Sequence, residues 1–197
     1  QSLPVQTELL RYRTLSDESS SDYMLQLDYE TQLGERSKLE IGTRAETRII
    51  SSDYSADQMN GEEWIPIPGF NNELDYYERI GAAYLQYAFE KDKFGLQAGL
   101  RGEVTNVRVE DELESTADIK KNYGQLFPSV SLSYTVTEEI STQLSYSRRT
   151  RRPAFWMLNT FGGISNPTSL FIGNPDIDPI YIDRAEWNLL ARWEKVT

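Results

Sequence analysis

Apolar and polar residues alternate with a period of two along most of this chain, a pattern that fits strands with one apolar and one wet face. The stretch 94–105 is the cleanest case. Phe94, Leu96, Ala98, Leu100, Gly102 and Val104 fall on one face, with Gln97, Arg101, Glu103 and Thr105 on the other. In 22–33, Tyr23, Leu25, Leu27 and Tyr29 oppose Gln26, Asp28 and Glu30. In 39–49, Leu39, Ile41, Ala45 and Ile49 oppose Glu40, Arg44, Glu46 and Arg48. Stretches 126–136, 140–149 and 184–194 repeat the pattern: Leu132 opposes Ser131, Leu144 opposes Gln143, and Trp187 and Leu189 oppose Glu186 and Asn188. A weak strand at 9–15 and a less regular one at 79–89, with Ala83, Leu85, Tyr87 and Phe89 outward, bring the total to about eight strands. No segment reads as a helix.

The connections carry a second regularity. Short turns sit at 34–36, 90–93 and 137–139, and longer loops at 16–21, 52–73, 110–122 and 153–179 alternate with them. Long–short alternation belongs to an antiparallel up-and-down meander with short turns at one end, the asymmetry of outer-membrane barrels. A Greek-key sandwich has no reason to show it. Phe89 and Phe94 flank one short turn and Trp193 stands near the end of the last strand, positions suited to an aromatic girdle.

Composition excludes more than it proves. The chain has no cysteine and no histidine, which removes thiolate chemistry, the usual general base and the commonest metal ligand. A net charge of −11 disfavours nucleic acid as a partner. The mean hydropathy of −0.57 suits a soluble protein, but a transmembrane barrel averages out to the same value. No apolar run approaches the ~18 residues of a membrane helix. Neither a cofactor nor a protein-bound metal is expected.

The stretch 146–182 stands apart. Arg148, Arg149, Arg151 and Arg152 precede Pro153, which cannot donate to a strand ladder. Phe155, Trp156, Phe161 and Phe171 then occur among turn residues, and Gly173-Asn174-Pro175-Asp176 closes the segment before a new strand. Loops of this length are usually functional or disordered, and the aromatics argue for order.

Arg152-Pro153, Leu158-Asn159 and Gly173-Asn174-Pro175-Asp176-Ile177, in that order, resemble the extracellular-loop signature of TonB-dependent outer-membrane receptors. The similarity is greatest to the outer membrane protein beta-barrel family common in Bacteroidetes. It extends to Gly99-Leu100-Arg101-Gly102-Glu103, Phe127-Pro128-Ser129 and 144–149. The chain departs from the pattern at Asp178 and Ile180, where the family has a basic residue and a glutamate. The resemblance implies a bacterial outer-membrane location and energy-coupled uptake of a bulky ligand such as a metal chelate, glycan or peptide. It further implies outer-membrane lipid around the wall, a TonB-type partner acting through a plug domain, and a surface lipoprotein partner. No plug is visible here, and a receptor barrel of that class has 22 strands, so residues 1–197 are expected to be part of a larger barrel.

Candidate sites follow from the faces. Arg44, Glu46, Arg101, Glu103, Arg184 and Glu186 fall on the polar face and would line a lumen or grip a plug, unless they are simply a solvated surface. Trp64 and Phe70, with Phe155, Trp156, Phe161 and Phe171, are ligand-contact candidates. The 64–70 segment could equally fold over its own base. Arg148 and Arg152 would meet lipopolysaccharide phosphates or pair with acidic loops. Glu110, Asp111, Glu112, Glu114 and Asp118 form either a calcium-type oxygen cluster or a solvated acidic loop. Three other readings stay open: a small structural or adhesin-type barrel, a barrel serving secretion or surface assembly, and a soluble antiparallel β-domain. No catalytic role is expected.

Overall fold

The computed structural model describes residues 11–111, 118–159, 163–166 and 169–193, the side chains of 163–166 and 169–171 excepted. Seven long strands form one antiparallel meander: β1 (Tyr12–Gln32), β2 (Ser37–Asn60), β4 (Asn72–Lys91), β5 (Phe94–Asp111), β6 (Ile119–Thr135), β7 (Ile140–Arg151) and β10 (Ile180–Ala191). Short β3 (Glu63–Pro66) pairs back on β2 as the eighth strand. The sheet curls into a half-barrel. A separate hairpin, β8 (Gly163–Asn166) with β9 (Ser169–Phe171), and a single helical turn, α1 (Phe155–Leu158), lie between β7 and β10.

The register settles the faces. Arg44, Ala82 and Glu103 stand in one cross-strand row, as do Ser145 and Glu186, and all six charged lumen candidates share one face. Leu96, Leu100, Leu132, Leu144 and Leu189 share the other. That outer face is an uncovered apolar belt including Tyr23, Leu27, Leu85, Leu126 and Trp187, with Leu100 48% exposed. On β5 the belt runs from Phe94 to Val104, about 25 Å tall once the strand is tilted, which is the height of a bilayer's apolar zone.

The belt itself reports the tilt. Its long-loop edge lies at Tyr23 on β1 but at Ala185 on β10, whose cross-strand row runs through Tyr146, Val130, Ala98, Tyr87 and Leu39 to Thr31 of β1. That offset is about 26 Å along the strand, accumulated over about 29 Å of sheet, a tilt of about 40°. Strands of transmembrane barrels lean by this amount.

Three expectations change. The loop read at 16–21 does not exist: β1 runs unbroken through it, and Ser16 to Ser21 pair with Tyr54 to Ile49. Most of 52–73 is likewise strand, and only the turn at Gly61 (φ +65°) and the 67–71 connection leave the ladder. One helical turn appears where none was expected. The first two have a common cause. In both stretches the apolar–polar contrast of the belt is lost, and Ser, Asp and Asn are held as strand by backbone pairing with the neighbouring strand.

Beyond the belt the polarity inverts. The inner face there carries Ile50, Leu74, Tyr76, Val107 and Val109, all buried. The covering comes from the β7–β10 connection, whose Leu158 is 1% exposed, with Phe155 and Ile177 packed alongside.

Candidate functional site: a loop-anchored cleft on the inner face

The β6–β7 ladder ends at Ser129↔Ser147, one residue past Pro128, which has no N–H to give. Released there, β7 continues with β10 alone, and the chain after it turns inward. Arg152, at the start of the connection, donates to Glu103 on β5, and Glu103 also accepts from Arg101 Nε at 2.6 Å. At the far end, Lys121 Nζ donates to the Ile177 carbonyl at 2.7 Å and lies 3.4 Å from Asp178 Oδ1. Both ends of the connection are thus tied to the inner wall.

The signature residues close the base of this connection on one another. Gly173 N–H donates to the Asn159 carbonyl and Asn174 N–H to the Met157 carbonyl, each at 2.8 Å. Asn174 Oδ1 accepts from Asp176 N–H at 2.9 Å, an Asx turn. At Gly173 an added Cβ would press into the Met157 and Asn159 carbonyls, 2.7 Å from the former, so the close approach requires glycine.

A cavity of about 540 Å³ opens beside this anchor, between the wall and α1. Glu18, Asp22, Glu46, Glu78, Arg48 and Arg152 contribute its charges, and Tyr76, Phe155 and Trp156 its aromatic side. Arg48 Nε meets Asp22 Oδ1 at 2.6 Å, and Arg48 Nη1 lies 3.8 Å from Glu78 Oε2. Tyr76 and Glu78 stand beyond the apolar belt. Burial pushes the Tyr76 hydroxyl above its usual range, and the Glu78 charge adds to the shift. Burial also raises the Glu78 carboxyl, against the opposing pull of Arg152 and Arg48. The lining thus sets four acids against two arginines beside an aromatic surface, an arrangement suited to binding, and among the described residues it offers no nucleophile–base pair.

The aromatic candidates divide. Phe155 is spent on packing against Tyr76, whereas Trp156 is 58% exposed on the rim of the cavity. Trp64 stands elsewhere: it lies on β3, with the Arg13 guanidinium 4.9 Å over its ring. Phe70 is half-buried near the turn that returns to β4, and 63–66 folds back on β2, the base-covering arrangement. Phe161 and the Phe171 side chain lie outside the described residues.

Among the charged candidates, Arg44 Nε pairs with Glu46 Oε1 at 2.5 Å and Arg184 Nη2 with Glu186 Oε1 at 2.6 Å. Arg148 forks onto Asp183, at 2.7 and 2.9 Å, so its acid partner belongs to β10 and not to a loop. Of the acidic run, Glu112 and Glu114 fall outside the described residues. Glu110 pairs with Arg108 on the outer face, while Asp111 accepts from Asn72 Nδ2 at 3.3 Å on the inner one. Among the described residues no group of acids is placed to hold a metal ion. Tyr76 and Glu78 fall between the loop expected at 52–73 and the strand expected at 79–89, whereas β4 already begins at Asn72. The alternation Asn72, Leu74, Tyr76, Glu78, Ile80 carried the signal.

A model of the outer membrane protein beta-barrel family matches residues 3–197. The chain belongs to that family. Its place is the bacterial outer membrane, and the lipid-facing belt is the surface such a protein needs. This outer-membrane barrel chain is similar in structure to the ferric citrate transporter FecA in its unliganded form. The TM-score is 0.56 at 14% identity, over 71% of this chain and 22% of that one. It is also similar to a chain of the FpvAI–pyocin S2 complex, with TM-score 0.53 and 18% identity over 94% of this chain and 24% of that one. These likenesses show the fold. The chain spans about a quarter or less of the length of either neighbour. No curated protein matches its sequence.

Proposed function

We propose that this chain is part of the wall of a TonB-dependent receptor that takes up a bulky ligand without enzymatic chemistry, and that the β7–β10 connection builds its ligand-facing vestibule. The observation that carries this is the double anchoring of the connection over the inner face, with Trp156 left exposed at the rim of a charged cleft. An idle connection would avoid the ordering cost, on the order of 1–2 kcal/mol per residue in backbone entropy. Here that cost is offset in part by burying Leu158 and Phe155. In this reading the long-loop end faces the medium, the short turns face the periplasm, and an inner-membrane TonB-type protein supplies force through a plug outside this chain. The ligand class in this reading is a metal chelate, a glycan or a peptide.

The test is uptake by the full-length protein in cells. Trp156→Ala leaves the packed side of the connection intact, so the protein should insert normally and lose ligand binding or growth on the transported nutrient. Normal uptake by a normally inserted Trp156→Ala protein, and by one lacking 154–170 behind a Gly-Ser bridge, would remove the vestibule reading. Orientation is checked separately. Single cysteines at Glu62, Asp118 or Asp176 should react with an impermeant maleimide on intact cells, and those at Glu35 or Glu138 only after the outer membrane is opened.

A further inference from the structure

The outer face immediately beyond the belt has a charge pattern that differs from strand to strand. On β1 it reads Ser21, Ser19, Asp17, and on β2 Ser51, Asp53, so these strands offer no cation there. Between β7 and β10 the cation Arg148 is used up by the fork onto Asp183. On β4, β5 and β6 the same zone carries Arg79, Arg108 and Lys120. Arg108 stands opposite Lys120, and Arg79 stands in the row of Asn106 and Asn122. The three cations occupy a grid of three strands by two rows, roughly 12 Å across at the backbone.

Two of the three are uncommitted. Arg108 pairs with Glu110, but Arg79 and Lys120 are exposed and meet no carboxylate among the described residues. Asn106 Nδ2 donates to Asn122 Oδ1 at 2.6 Å, which leaves the Asn122 amide nitrogen without a partner among them. The carboxylates of this region, Asp75, Glu110 and Asp118, lie one row farther from the belt than Arg108 and Lys120, and the Tyr77 hydroxyl donates to Asp75 Oδ2 at 3.1 Å. Cations nearest the lipid and acids beyond them suit an anion held at the membrane surface. Arg79 is two residues past Gly81 and Lys120 six past Leu126, so the patch climbs from about 5 to about 15 Å above the belt. In a chain of net charge −11 this clustering runs against composition.

We propose that Arg79, Arg108, Lys120 and Asn122 form a docking site for the phosphates of an outer-leaflet glycolipid. The acyl chains of that lipid would lie on the adjoining belt at Ala83, Val104 and Leu126. The site rests on the orientation proposed above, with this end outside, but not on any transport activity. Charge-assisted hydrogen bonds from guanidinium and ammonium groups hold phosphate oxygens, and continuity with the apolar belt selects a lipid over a soluble anion.

The test uses the detergent-purified full-length protein and rough-type lipopolysaccharide, with binding followed by native mass spectrometry. Its arms are the same glycolipid dephosphorylated with hydrofluoric acid, and inorganic phosphate as competitor. The expected result is binding that weakens about tenfold on dephosphorylation and about tenfold in the Arg79→Ala/Lys120→Ala protein. Arg79→Lys should retain most of the affinity, and Arg148→Ala, which disturbs a committed cation, should leave it unchanged. Both altered positions are exposed, and heat-modifiable migration on gels reports that each variant is folded. Equal affinity for the phosphorylated and dephosphorylated forms, or an undiminished folded double variant, overturns the proposal. Full displacement by millimolar inorganic phosphate overturns the lipid source. Loss of this binding alongside normal uptake leaves the receptor reading intact, and the converse result leaves the docking site intact.

Discussion

Phe155 meets Tyr76 edge to face, ring centroids 5.5 Å apart at 61°, and so joins the β7–β10 connection to the fourth strand across the mouth of the half-barrel. The contact stands on the extended inner face, where Ile50, Leu74 and Val109 would otherwise be bare. Truncating Leu158, the most deeply buried side chain of the cluster, to alanine should cost about 2–5 kcal/mol of docking stability. Phe155→Ala should cost a similar amount, through lost area and the lost ring contact. Hydrogen exchange of the full-length protein in detergent should show protection falling in 153–178 and persisting in 94–104. Unchanged exchange in both variants would mean that the connection is held by its polar anchors alone.

Gly173 should prove intolerant of any side chain. Its backbone conformation is ordinary, so the constraint is proximity to the Met157 and Asn159 carbonyls. Gly173→Ala must push these two segments apart and lengthen two 2.8 Å hydrogen bonds. Limited proteolysis should then cut within the connection while the membrane-embedded core stays resistant. Gly124, with open space around its Cβ position, is the control, and Gly124→Ala should leave the digestion pattern unchanged.

The cleft also predicts a pH dependence of defined sign. Burial raises the Glu78 carboxyl, so the docked state holds a proton more readily than the open one. A raised carboxyl contributes stability that is full below the ordinary glutamate range and is lost as pH rises through the shifted value. Protection of 153–178 should therefore decline as pH rises above the ordinary glutamate range, by an amount that Glu78→Gln removes. An identical slope in the Glu78→Gln protein would assign the dependence to another group.

How far the sequence reached is clearest at particular positions. The facing of Leu100 against Gln97, and of Arg44, Glu103 and Glu186 together, was legible because a belt against lipid and a wet inner face enforce contrast at every step. Past the belt that contrast fades. The serines and aspartates of 16–21 and 52–60 then look like loop, although each is paired with a residue far along the chain. The inward apolar set of Leu74, Tyr76, Val107 and Val109 has meaning only once Phe155, Leu158 and Ile177 are laid over it. Arg152 and Glu103 are 49 residues apart, and nothing local to either indicates the other. Leu158-Asn159 and Gly173-Asn174 were legible as family signature, but their hydrogen bonding to each other was not.

The membrane reading is tested most sharply by two residues three apart on one strand. Leu100 and Gln97 both lie on β5, at similar depth and with the same flanking ladder, so local strand stability is a shared background. Leu100 points outward, 48% exposed in the isolated chain and thus free to meet acyl chains. Gln97 points into the wet interior, between Ala88 and Ser131. An arginine at position 100 must carry its charge into hydrocarbon or snorkel out of it, at a cost of about 2–4 kcal/mol near the midplane. The same change at 97 meets polar neighbours and water and should cost under about 1 kcal/mol. Folding titrations of the full-length Leu100→Arg and Gln97→Arg proteins into phospholipid vesicles measure both. A soluble sandwich would invert the order, because its apolar face would be the core and its polar face the free surface. Equal costs at the two positions would remove the bilayer as the partner of the belt.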